Sequence, residues 1–67
     1  MNRYVLRLNG CTEEEAKEIH QNIRFWCIDY MELPDGNIEV TTSYDFTPEF
    51  LESKGIPADR VVRGKNR

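Results

Sequence analysis

The chain has 67 residues, of which 39% are apolar and 31% charged, and a formal net charge of −3. That size and balance suit one small globule and exclude both a second domain and a disordered tail. With no apolar run long enough to span a bilayer, and no hydrophobic signal segment behind Met1-Asn2-Arg3-Tyr4, the expected compartment is the cytosol.

Residues 3–8 alternate, with Tyr4, Leu6 and Leu8 on one side and Arg3, Val5 and Arg7 on the other. This is the pattern of a half-buried strand, and Asn9-Gly10 ends it. Thr12-Glu13-Glu14-Glu15 then spells a capping box, in which Thr12 accepts from the Glu15 amide and the Glu15 side chain returns to the Thr12 amide. Three glutamates in the first turn complement the helix dipole. Ala16, Ile19, Ile23 and then Trp26 or Cys27 recur at helical spacing.

The spacing alone lets this helix end near Arg24 or run on to Tyr30. Residues 25–33, however, are rich in aromatic and aliphatic side chains and lead into Pro34-Asp35-Gly36-Asn37, a turn between two hydrophobic runs. This predicts a strand over 26–33, paired in a hairpin with 38–44. Trp26, Ile28 and Tyr30 are expected inward, and Cys27, Asp29 and Met31 outward, a register that leaves Asp29 in water. A Trp26 buried in that way would cost ~3–5 kcal/mol to replace by alanine.

Thr47 and Pro48 mark the cap and first residue of a short second helix, with Phe46 placed to staple onto Leu51. Gly55 stands where a left-handed residue closes a helix, and Ile56 is placed to fold back onto Leu51. Residues 59–63 form a short last strand, and 64–67 a polar tail.

The order strand, helix, strand, strand, helix, strand is that of the ferredoxin-like βαββαβ split unit in the α+β class. Right-handed crossovers then give a four-stranded antiparallel sheet in the order 4-1-3-2, with two helices on one face, over a single domain of residues 1–63. The other face, carrying Arg3, Val5, Arg7, Cys27, Asp29, Met31, Glu39, Thr41 and Ser43, is left open. Charge is distributed unevenly along this order. Residues 1–12 hold Arg3 and Arg7 and no acid, residues 13–52 hold eleven acids against Lys17 and Arg24, and residues 53–67 hold five cations against Asp59. The topology places the basic first and last strands side by side and the acidic hairpin at the opposite edge, giving a polarised sheet.

Several kinds of chemistry are excluded. Cys11 and Cys27 are the only cysteines and His20 the only histidine, so neither a disulfide framework nor a zinc spacing is present, and both thiols are expected as ordinary buried or half-buried groups. Sheet-type RNA readers need outward aromatics on their central strands, which residues 38–44 do not supply. Glu13, Glu14 and Glu15 fill the helix start where an anion would bind. His20 borders an apolar stripe with no nucleophile beside it, and Asp29 and Glu39 are an exposed pair rather than a tuned acid and base.

The chain is therefore expected to have no catalytic, cofactor or metal residues and to be a non-enzymatic module that binds a larger protein. A small phage or mobile-element protein that inhibits a host complex, such as a defence nuclease, is one such setting. The candidate partner-binding residues are Arg3, Arg7, Arg60, Arg63, Lys65 and Arg67; protection of an exposed strand edge is the plainer account of the same charges. The alternative function is nucleic-acid or nucleotide binding through the basic first and last strands, against which stand the acidic pI near 5.0 and the missing stacking platform.

Overall fold

A computed structural model describes residues 1–64 of the chain. The first strand, β1 (Asn2–Leu6), alternates as its sequence requires, with Tyr4 and Leu6 buried between Arg3 and Val5. The capping box forms: Thr12 Oγ1 accepts from the Glu15 amide at 3.1 Å, and Glu15 Oε1 accepts from the Thr12 amide at 3.0 Å. It starts α1 (Glu13–Ile23), which buries Ile19 and Ile23.

The long-helix option is not taken. The chain tightens into a 3₁₀ turn over Arg24–Trp26, and the Trp26 carbonyl accepts a hydrogen bond from the Thr42 hydroxyl. Thr42 is fully buried on the far strand of the hairpin. A tertiary contact therefore takes up a helix-terminal carbonyl that no glycine cap satisfies.

The hairpin exists, but both of its strands are shorter than the expected 26–33 and 38–44. It comprises β2 (Asp29–Glu32) and β3 (Ile38–Thr42), paired from Asp29 opposite Thr41 to Glu32 opposite Ile38. The Ile28 amide also donates to the Thr41 carbonyl, at 2.8 Å. Two residues, 28 and 29, thus oppose one: a β-bulge, which throws the alternation out by one position. This corrects three expected orientations. Trp26 lies in the 3₁₀ turn and is half-buried, Ile28 is 63% exposed, and Cys27 packs against the core. The turn itself follows its residues, with the Gly36 amide donating to Leu33 O at 3.1 Å and Asp35 Oδ1 accepting from the Asn37 amide at 3.1 Å.

Thr47 caps α2 (Pro48–Ser53), accepting from the Phe50 amide at 3.1 Å. The helix closes with Gly55 at φ +75°, Ile56 N–H on Leu51 O at 2.9 Å and Gly55 N–H on Glu52 O at 3.1 Å, the paired bonds of a Schellman end. A second 3₁₀ turn (Ala58–Arg60) delivers the chain into β4 (Val61–Arg63).

The four strands form one antiparallel sheet in the order β2-β3-β1-β4. With its two helices it is a small α+β fold. Ile19 and Ile23 of α1 and Leu51 of α2 join Tyr4, Leu6, Ile38, Val40, Phe46 and Ile56 in one buried cluster, so both helices cover the same face of the sheet. Each fully buried aliphatic side chain contributes ~1.5–3 kcal/mol, and a core this small has little to spare.

Candidate interaction surface

Strand register sets out the uncovered face. One row runs Met31, Glu39, Val5, Val62 across β2, β3, β1 and β4, and the next runs Asp29, Thr41, Arg3. Ile28 joins the second row because the bulge turns it out. Met31 is 57% exposed and Val62 41%. Apolar side chains and charges of both signs are therefore interleaved on a surface that no helix covers.

Of the six basic residues singled out in the sequence, the four that are described do not form one cluster. Arg3 is exposed on the uncovered face, and Arg7 is exposed just beyond the end of β1, its amide bonded to Arg60 O at 2.7 Å. Arg60 is engaged with the backbone, Nη1 donating to Arg7 O at 3.2 Å and to Asn9 O at 3.4 Å. Arg63 lies opposite Tyr4, on the helix-covered side of the edge strand. Its guanidinium sits 5.2 Å from the centre of the Tyr4 ring, with Nη2 3.4 Å from Tyr4 Oη. Lys65 and Arg67, and with them most of the expected tail, fall outside the described residues. Gly64 is described, and its amide extends the ladder onto Arg3 O at 2.8 Å.

Two features escaped the sequence reading. The first is an aromatic run from Tyr4 through Phe46 and Phe50 to Tyr44 and Trp26, with centroid separations of 4.7 to 5.6 Å. Lys54 Nζ rests 4.3 Å above the Trp26 ring. These residues come from three separate stretches of chain, around residues 4, 26 and 44–50, so no single spacing rule joins them. The second is a hollow of about 240 Å³ on the helix side of β2, lined by His20, Tyr30, Met31, Glu32 and Ile38. His20 and Tyr30 meet edge to face at 4.8 Å, and His20 Nε2 is buried with no hydrogen-bond partner. The helical stripe placed His20 at the border of the core, but not under β2.

Cys27, expected outward, is held against the core, and burial pushes its thiol up to about 11. Among the described residues no group of three His, Cys, Asp or Glu side chains is placed to hold a metal ion, and no helix is long and apolar enough to cross a membrane. The chain matches no protein-family model, no curated protein and no solved structure.

Proposed function

We propose that this chain is a non-enzymatic binding module of the cytosol, which acts by occupying a surface on a larger protein. The observation that carries the reading is the uncovered sheet face, where Ile28, Met31 and Val62 stand exposed among Arg3, Asp29 and Glu39. Exposed apolar side chains interleaved with charges on one uncovered face offer a protein partner both anchors and polar contacts. In this reading the anchors supply affinity, while Arg3 and Arg7 steer the encounter. A small inhibitor made by a phage or mobile element against a host complex, such as a defence nuclease, is a setting that suits so small a module.

The test is recovery of a partner by the tagged protein from a host lysate, compared with Val62→Glu and Arg3→Glu variants. Recovery lost in both variants, with melting temperatures unchanged, is the expected result. Recovery indifferent to both sinks the reading. The second reading, nucleic-acid binding, draws on Arg3 and Arg7 both being exposed. It is favoured instead if an oligonucleotide shifts in a gel at physiological salt and the arginine substitutions abolish the shift.

A further inference from the structure

The outer edge of β2 carries backbone groups, a hollow and a charge that point to one kind of partner. The ladder to β3 uses the odd-numbered positions of this strand. Asp29 and Met31 oppose Thr41 and Glu39, and the Leu33 amide reaches Asn37 O at 2.8 Å. Hydrogen-bonded positions alternate in an antiparallel pair, so the N–H and C=O groups of Tyr30 and Glu32 point off the edge of the sheet. All four residues of the strand are exposed. Such a row is a template for an added strand.

On the helix side, Tyr30 and Glu32 border the hollow of about 240 Å³ whose inner wall includes His20. His20 Nε2 has no partner there, and an unpaired buried polar atom lowers stability until a partner is supplied. From residue 29 to residue 39 the chain carries Asp29, Glu32, Asp35 and Glu39 and no lysine or arginine.

We propose that β2 is the docking edge for a short extended basic segment of a partner protein, which adds as a strand beside Asp29–Glu32 and sends a lysine or arginine side chain into the hollow. Its cation pairs with the Glu32 carboxylate and lies against the Tyr30 ring. As Tyr30 turns aside, an N–H of that cation donates to the unpartnered Nε2 of His20. The bulge at 28–29 and the turn after Leu33 limit the added strand to a few residues. The inference rests on the reading of the chain as a protein-binding module, and it names an edge distinct from the uncovered face.

The experiment titrates the full chain with a short peptide alternating lysine and valine, and with its glutamate counterpart, while amide exchange is followed by NMR. The Tyr30 and Glu32 amides are expected to exchange freely at first and to slow on saturation with the lysine peptide only. The Met31 and Leu33 amides, already bonded, change little. Glu32→Gln weakens binding about tenfold, the size of one lost charged contact. His20→Leu weakens binding while raising the melting temperature, since it removes an unpaired buried nitrogen. The proposal is overturned if the lysine peptide fails to bind, if it binds without slowing those two amides, or if the glutamate peptide binds equally. It is also overturned if raising the protein concentration alone protects the same amides, which would make a second copy the occupant. Partner recovery that still depends on Val62 and Arg3 while the peptide leaves β2 untouched separates failure here from failure of the uncovered-face reading.

Discussion

Cys27 shows what a single half-buried side chain does to the response of this protein to pH. Its thiol keeps its proton up to about 11, against 9.0 for an unhindered one. Between those values the unfolded chain has lost the proton and the native chain still holds it. The native state therefore binds more protons, and its stability falls as pH rises through that window, while below pH 9 the contribution is fully present. Urea melts of the wild type and Cys27→Ala across this range should converge as pH rises; parallel curves would mean the thiol is not desolvated. Trp26 is the second case. Half-buried between Tyr44, Phe50 and Lys54, it should cost about 2 kcal/mol to replace by alanine, less than a fully enclosed tryptophan. A loss above ~4 kcal/mol in denaturant melts would restore the inward strand position.

At the scale of elements, the two helix ends are governed by different physics. The end of α2 is local: Gly55 adopts φ +75°, and a Cβ there would also meet Asn22 Nδ2 at 3.0 Å. Asn22 donates to Gly55 O at 3.2 Å and so ties α1 to this turn. Gly55→Ala should therefore cost ~1–2 kcal/mol from the left-handed backbone alone, read as a lower urea midpoint at unchanged slope. The end of α1 is not local, because it depends on Thr42 of β3 reaching Trp26 O. Thr42→Val keeps the volume but removes the hydroxyl that bonds Trp26 O and the Tyr44 amide, and should cost ~1–3 kcal/mol. The loss should appear together with faster amide exchange over Arg24–Trp26. A neutral substitution would mean the 3₁₀ turn holds by itself.

For the molecule as a whole, the basic residues fall into three roles. Arg60 closes the loop after β1 through Arg7 O and Asn9 O, so Arg60→Ala should lower stability by ~1 kcal/mol and leave partner affinity unchanged. Arg3→Ala and Arg7→Ala should leave the melting temperature unchanged and slow partner association, most at low salt. Arg63, against Tyr4, sits at the other side of the sheet and should affect neither rate. Stopped-flow association at two ionic strengths separates the three, and equal effects from all of them would show that the cluster acts as one surface after all.

The residues alone determined the elements that are punctuated locally. The capping box of α1, the Pro34–Asn37 turn, the Thr47 cap and the Gly55 stop each rest on bonds between neighbours a few positions apart, and each is present, as is the period-two alternation of β1. The four-stranded antiparallel sheet with two helices followed from their order. Tertiary structure decided what depends on distant partners. Thr42 fixed where α1 stops, the pairing with β3 placed the bulge at Ile28, and the fold carried His20 beneath Tyr30. It also divided the arginines between the two sides of the sheet, because side-chain direction in a strand alternates with every residue, whereas charge counted along the chain carries no direction.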